Sequence, residues 1–560
     1  MADLAVRAPE HSDDVSWDLE ADVVIVGGSI AGLTTALHAH ELGASVVVLE
    51  KAPRVGGTAR KAVAGMWVPN NRFMQAAGVD DRKEDALAYL ARLARPLLFD
   101  PSDPSLGLPH WEYELFEALY DNADTAFRAL EAFGVGLEQD ADFPDYHMHL
   151  PEVNAPRGRE LFPHNPDGTR GNGATFMARL AELVAERQIP VRLQHRVAGV
   201  IIDDSGRVVG VRAETPYGEI AARGRKAVFF CSGGFTHNEE MRRYYLGGRV
   251  VGGCAAYANE GDFHRIAQRM GIPLVHMDAA YLAPLVLEKM LNRDPEMTGV
   301  FAVPGDSLIT VNKFGRRAVN EKAPPQDRAM QMLSWDPYRA ECPNFLMFAI
   351  WDQRAAERFP GGYLGAFIPG PGDDVSHVVR GDTLEELAAS LDERLGKLGD
   401  SARNIRLHED FAESLRGTIA RFSEFARSGA DKDFRRGETP IEITFHGPVA
   451  DDNHCPSGLM FPLADRGPYY ATILAPGTLD TKGGPRVDPG GRVLGADGQP
   501  VPGLYAVGNS SAAPTGQGYI SGGMTFGPII TFSYLAAHAA VHEPSSDLHR
   551  SATDHELQVP

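Results

Sequence analysis

Residues 21–26 form an apolar run broken only by Asp22, the pattern of a strand buried on both faces. The run opens into Gly27-Gly28-Ser29-Ile30-Ala31-Gly32, after which residues 33–42 carry apolar positions at helical spacing. A second apolar strand over 45–49 ends in Glu50. Strand, glycine-rich turn, helix, strand and acid in this order predict a dinucleotide-binding unit. Gly27 makes the tight turn, Gly32 permits close helix–strand packing, and a pyrophosphate sits on the helix N-terminus. Glu50 stands about twenty residues on, where a ribose-binding acid belongs. Ser29 takes the slot of the middle glycine, where a small side chain is tolerable.

Further along, the pattern predicts helices over most of 82–134, an amphipathic helix over 175–187, and a pair of strands over 191–212 turning at Asp203-Asp204-Ser205-Gly206. A buried strand over 226–230 enters Cys231-Ser232-Gly233-Gly234. From about 278 to 445 the alternation weakens and proline-rich loops multiply, which suggests an inserted domain. Strand signals return over 469–474 and 503–507. The last strand leads through Gly508-Asn509 to the glycine-rich stretch Gln517-Gly518-Tyr519-Ile520-Ser521-Gly522-Gly523-Met524-Thr525-Phe526-Gly527. Such a turn presents backbone N–H groups and a tyrosine hydroxyl to an anionic or polarised oxygen.

At 560 residues the chain should divide into two or more domains with ample core. A net charge of −21 argues against nucleic acid and anionic membrane surfaces as partners. No apolar run approaches the ~20 residues of a membrane span, and residues 1–20 are acidic and polar, so a cytoplasmic protein is expected. Cys231, Cys254, Cys342 and Cys455 lack CxxC spacing, which predicts buried, inert thiols and no metal site.

The runs VIVGGSIAGL, EKAPRVGGTA, VVGVRAETPYGEIAARGRKAVFFCSGGF, LITVNKFGRRAVNE and GPYYATILAPGTLDTKGGPRVDPGGRVLGADGQPVPGLYAVGNSSA resemble the fumarate reductase flavoprotein superfamily, and most of all its FAD-dependent 3-ketosteroid dehydrogenases. The resemblance covers about residues 20–540. It implies an α/β fold in which a Rossmann-like FAD-binding domain is built from both chain ends and an inserted α+β catalytic domain caps the flavin. The corresponding boundaries are a flexible tail over 1–19, the FAD domain over 20–280 and 446–543, the insert over 281–445, and a second flexible tail over 544–560.

The same resemblance places FAD against Gly27, Ser29, Ile30, Ala31, Gly32, Glu50, Lys51, Gly56, Gly57 and Thr58. Val197 would contact adenine, Gly508, Asn509 and Thr525 would lie nearer the ribitol and flavin, and Gly233 is a further expected FAD contact. Covalent members attach FAD to a histidine just before the Gly56-Gly57 pair; residues 52–62 contain none, so non-covalent FAD is expected. In the ketosteroid enzymes a tyrosine hydroxyl and the N–H of a glycine four residues later grip the ketone oxygen, and Tyr519 and Gly523 have that spacing. Phe143-Pro144-Asp145-Tyr146 matches the family's second tyrosine loop, which makes Tyr146 a candidate in proton abstraction. Ser521 resembles the hydroxyl of the Δ4 branch.

One position departs from the family. In Asn320-Glu321-Lys322-Ala323-Pro324-Pro325 the register puts Pro325 where the ketosteroid enzymes carry their proton-abstracting tyrosine. Gln326, Asp327 and Arg328 are the nearby residues able to compensate. The expected function is desaturation of a cyclic ketone, foremost a 3-ketosteroid, with α-proton removal and β-hydride transfer to FAD. The alternatives are a desaturase of a smaller cyclohexanone derivative, a fumarate-reductase-like enoate or enone reductase, and a non-catalytic flavin electron-transfer protein. The expected partners are a small apolar ketone and an electron acceptor that the sequence does not name. Trp67, Trp111, Phe301, Trp351 and Phe461 are the candidate pocket aromatics.

Overall fold

A computed structural model describes residues 6–155, 157–291, 302–361 and 368–545. Its first sheet is organised around five parallel strands, in spatial order Val191–Leu193, Val46–Glu50, Leu19–Val26, Gly218–Phe230 and Pro500–Ala506. Val24 pairs with Val47 on one side and Val228 on the other, and Val228 pairs with Leu504. The sheet therefore joins the two ends of the chain. Alternate side chains leave opposite faces: Val23, Ile25, Val46 and Val48 join the core of helices Ile30–Glu41 and Phe526–Val541, whereas Val24, Val26, Val47 and Leu49 join that of helix Asp262–Arg269. Burial on both sides is why these strands read as continuous apolar runs.

Strands Arg196–Ile202 and Val208–Thr215 form the predicted hairpin and continue antiparallel onto the first half of Gly218–Phe230. The N-terminal stretch differs from the flexible tail expected over 1–19. Val6 is buried, the Arg7 N–H donates to Ala198 O (2.9 Å), and Glu10–His11 adds an edge strand beside Ile201 and Ile202. An ion pair from Arg212 to Glu10 holds that edge. Residues 1–5 and 546–560, which include most of the expected C-terminal tail, lie outside the described residues.

A second, largely antiparallel sheet contains Gly252–Gly253, Ala280–Val286, Leu308–Val311, Met347–Asp352, Val378–Gly381 and Tyr469–Thr481. Tyr469–Thr481 is its hub and pairs with four of the other strands. Helices Leu384–Leu398 and Phe411–Ser428 cover it through Leu387, Leu391, Leu415 and Phe422. The hub strand lies beyond the sequence-derived boundary at 445/446, so the chain rejoins the first sheet only at Arg492–Leu494 and Pro500–Ala506. Among the described residues no helix is long and apolar enough to cross a membrane.

Candidate active site

A cavity of about 420 Å³ lies where the parallel strands end, at Val26, Leu49 and Phe230, and reaches Leu479 and Asp480 of the second sheet. Ligands bind at this edge of an open α/β sheet. Gly27 has φ +111°, and a Cβ there would come within 2.4 Å of Cys231 O. One on Gly32 would come within 1.8 Å of Gly27 O. Ser29 is the N-cap of helix Ile30–Glu41, yet its hydroxyl donates to Gly56 O (3.0 Å) and caps nothing, so the first-turn N–H groups at Ile30 and Ala31 remain available to an anion. The Gly56 N–H donates to Gly28 O (2.8 Å), which ties the two glycine-rich turns together.

Glu50 is buried at the cavity wall and accepts from the Gly28 and Ala52 N–H groups, both at 2.7 Å. Burial raises its carboxyl pKa, and those two bonds oppose the rise. Lys51 lines the cavity, but its ammonium is committed to Asp262 (2.8 Å) and Glu260 (3.0 Å). Gly57, Thr58, Val197, Gly233, Gly508, Asn509 and Thr525 also line it, whereas Gly32 and Gly56 shape the cradle from behind. Asn509 donates to Asp480 (2.8 Å), which also accepts from Asn259 (2.9 Å) and Thr236 (3.1 Å). An uncapped helix start, an acid at the ribose position and glycines at the points of closest approach fit FAD.

The other end of the cavity is aromatic. Tyr519 meets Tyr146 edge-on at 5.7 Å between ring centroids and Tyr281 at 5.4 Å, and Tyr146 meets Phe445 at 5.5 Å. Gly523 has φ +76°, and its carbonyl accepts from the Trp67 N–H (3.1 Å) and the Gly527 N–H (2.9 Å). Its own N–H has no acceptor among the described residues. Tyr519 and Gly523 thus share one cavity with the FAD cradle. Ser521 is buried but absent from the cavity wall, so its expected contact with substrate is not borne out by the geometry. It sits between Ile520, whose carbonyl takes the Tyr89 hydroxyl (2.8 Å), and Gly522, which does line the cavity.

Burial holds the phenols of both Tyr519 and Tyr146 far above their ordinary pKa, and each raises it further through its aromatic or acidic neighbours. Both therefore keep their protons and act as hydrogen-bond donors. Tyr146 is fixed through Asp145, which accepts from Trp67 Nε1 (2.8 Å) and Arg159 Nη1 (2.5 Å), while Arg159 also grips Asp81 (2.6 Å and 3.0 Å).

Pro325 opens helix Pro325–Met332, with Pro324 as N-cap. Neither it nor the three neighbours lines the cavity. Gln326 accepts from the Leu282 N–H (3.3 Å) and donates to Gln517 O, which pins the Tyr519 loop to the second sheet. Asp327 bonds His147 (2.9 Å), and Arg328 donates to Ala323 O (2.8 Å). Glu321 is structural: buried, it takes Arg317 (2.8 Å) and Arg436 (3.3 Å).

Four cavity or loop residues escaped sequence reasoning. Tyr281 and Phe445 arrive from distant segments without a local motif. Lys482, fully buried, donates to Gly516 O (3.2 Å) and Gly518 O just before Tyr519, and its ammonium lies 4.4 Å from the Tyr281 ring centroid. Glu160 lines the cavity from strand Glu160–Pro163, every residue of which is buried. An acid inside an otherwise apolar four-residue strand was the one legible signal. Of the aromatics proposed for the pocket, Trp67, Trp111, Trp351 and Phe461 do not line it, and Phe301 lies outside the described residues.

Comparison with known proteins agrees with this geometry. The family model described as "FAD binding domain" matches residues 22–525. A 3-oxosteroid 1-dehydrogenase of Mycobacterium tuberculosis (strain ATCC 25618 / H37Rv) is 30% identical across 92% of this chain and 98% of its own length. A 4-oxocyclohexanecarboxylate 2-dehydrogenase of Sinomonas cyclohexanicum is also 30% identical, across 92% of each chain. The crystal structure of 3-ketosteroid delta1-dehydrogenase from Sterolibacterium denitrificans in complex with 1,4-androstadiene-3,17-dione shares the fold, with a TM-score of 0.78 and 24% identity over 93% of this chain and 99% of that one. With its FAD cradle and its paired tyrosine and glycine on one cavity, the chain belongs to the FAD-dependent 3-ketosteroid dehydrogenase family, oxidoreductases acting on CH–CH groups.

Proposed function

We propose that this enzyme introduces a double bond next to the carbonyl of a cyclic ketone, with a 3-ketosteroid as its leading substrate. The observation that carries the reading is that Tyr519 and Gly523, whose N–H has no acceptor among the described residues, both line the cavity that also holds the FAD cradle. A tyrosine hydroxyl and a backbone N–H on one oxygen would stabilise the charge that develops there as an α-proton leaves. Tyr146, Tyr281 and Phe445 supply apolar walls for the ring system. When bound, FAD supplies the two-electron acceptor for the hydride that leaves the β-carbon. We expect it to be held non-covalently, since residues 52–62 offer no histidine. The four free cysteines suit a reducing cytoplasm.

A smaller cyclic ketone is the second reading, favoured by the equal identity of the 4-oxocyclohexanecarboxylate 2-dehydrogenase. A dicarboxylate fits poorly beside buried Asp480 and an uncharged 518–522 loop. A purely electron-transferring role would leave the Tyr519 and Gly523 donors without a purpose. The test is a panel of 3-ketosteroids and cyclohexanones with an artificial electron acceptor, the double bond being placed by mass spectrometry and NMR. Tyr519→Phe should lower kcat/KM about 100-fold or more while the flavin stays bound. Unchanged turnover in that variant, or oxidation of the reduced enzyme by enoates with no ketone turned over, would overturn the reading.

A further inference from the structure

Glu160 is the cavity-lining acid that the proposed chemistry has not used. Its side chain is buried, its residue is 5% exposed, and Oε2 has no hydrogen-bond partner. Two glycines make room for it: a Cβ on Gly65 would come within 1.9 Å of Oε1, and one on Gly522 within 2.6 Å of both oxygens. Gly65, Gly522 and Glu160 all line the cavity, and Gly522 immediately precedes the Gly523 N–H of the ketone grip. The carboxyl is thus seated beside the carbonyl site.

We infer that Glu160 is the catalytic base that removes the α-proton of the ketone, in the place left vacant by Pro325. The inference rests on the ketone reading above. In the step, the α-C–H bond breaks and an O–H bond forms on the Glu160 carboxylate. The C–H electron pair becomes the enolate, whose oxygen is held by Tyr519 Oη–H and Gly523 N–H. One negative charge passes from carboxylate to enolate, so no net charge is created in the apolar cavity and no oxidant is consumed.

The neighbouring groups fit this role. Asp145 pairs with Arg159, which also holds Asp81, and Asp140 pairs with Arg170 (2.9 Å), which also holds Glu138. Tyr146 and Tyr519 line the same cavity as Glu160 and remain protonated. Burial, then Asp140 and Asp145, push the Glu160 carboxyl up from its ordinary value, with Arg170 opposing. A raised pKa makes the ionised carboxylate a stronger base, whereas the same burial keeps Tyr146 protonated. Tyr146 then serves as wall and donor, not as proton acceptor.

The first test uses the holoenzyme, reduced anaerobically so that ketone oxidation is blocked, in D2O with a saturated cyclic ketone. Wild type should exchange the α-hydrogens, read by mass spectrometry, and Glu160→Gln should exchange them about 100-fold more slowly or worse. The second test is binding of a phenol as an enolate mimic, followed by its ultraviolet spectrum against pH. Wild type should bind the phenolate only with Glu160 protonated, so affinity for the anion falls as pH rises; in Glu160→Gln that dependence should vanish while the phenol still binds. Exchange in Glu160→Gln within threefold of wild type would overturn the assignment and leave the ketone reading intact. A pH dependence of phenolate binding unaltered in Glu160→Gln would overturn it as well. If wild type neither exchanges nor oxidises any ketone, the ketone reading falls, and this inference with it.

Discussion

Replacing Lys482 by methionine should reverse the sign of its effect on stability between neutral and alkaline pH. Burial, and then the nearby Arg95 guanidinium, lower the ammonium pKa from 10.5 to about 7. The folded protein then loses this proton near pH 7 and the unfolded chain near 10.5. Between those values the unfolded state holds more protons, so stability rises with pH by about 1.4 kcal/mol per unit. Across the window this amounts to roughly 5 kcal/mol, present in full above the unfolded pKa and lost as pH falls to the folded one.

Methionine abolishes that slope, but it leaves the carbonyls of Gly516 and Gly518 without their donor, at about 1–3 kcal/mol. Lys482→Met should therefore be more stable than wild type at pH 7 and less stable at about pH 10, with curves crossing roughly between pH 8 and 10. Arg95 and His276 both contact Glu112, and His276 Nδ1 lies 3.0 Å from Ala513 O. Urea midpoints of both proteins at saturating FAD, measured from pH 6.5 to 9.5, give the difference directly. A wild-type-minus-variant difference that stays constant over that range would refute the account of Lys482 as a buried, titrating clamp on the Tyr519 loop.

Gly523→Ala should abolish ketone turnover and destabilise the fold while sparing the FAD cradle, because its Cβ would stand 2.3 Å from Trp67 N at φ +76°; flavin content and melting temperature check this, and normal turnover would contradict it. Arg159→Met should cost about 3–5 kcal/mol, since Asp81 and Asp145 are left as buried, uncompensated carboxylates. A denaturant midpoint close to wild type would show that the pair is not required.

Legibility in the sequence followed the range of the interactions. The dinucleotide unit was readable because Gly27, Gly32 and Glu50 act within one βαβ segment, and the predicted helices and hairpin have local periodicity. The edge strand Glu10–His11 was read as tail because its partners, Ile201 and Ile202, lie far along the chain. The 445/446 boundary shifted because a strand feeding either sheet has the same apolar pattern, so nothing in 469–481 tells which sheet it joins. Tyr519 and Gly523 were singled out through the family resemblance, in which a tyrosine and a glycine four residues later grip the ketone oxygen. Tyr281 and Phe445 reach the same cavity from the second sheet and from helix Pro440–His446, and no spacing encodes that meeting.

The family resemblance puts Pro325 at the position of the proton-abstracting tyrosine, but the consequence proposed for it emerges only from the charge balance of the finished site. Among cavity-lining carboxyls, Asp262 faces Lys51 and Arg196, Asp480 takes several donors, and Glu50 takes two backbone N–H groups. Each is satisfied by the protein itself. Glu160 alone among them has a buried oxygen with no partner. A buried carboxyl left so is unfavourable by about 1–3 kcal/mol or more, and an apolar residue at the same position would not incur that cost. The tyrosines around it, held protonated by burial, can donate to an oxygen but not take a proton from carbon. On the proposed chemistry, donors without an acceptor stabilise an enolate they cannot form, so the inferred base Glu160 and the two tyrosines would work as one unit.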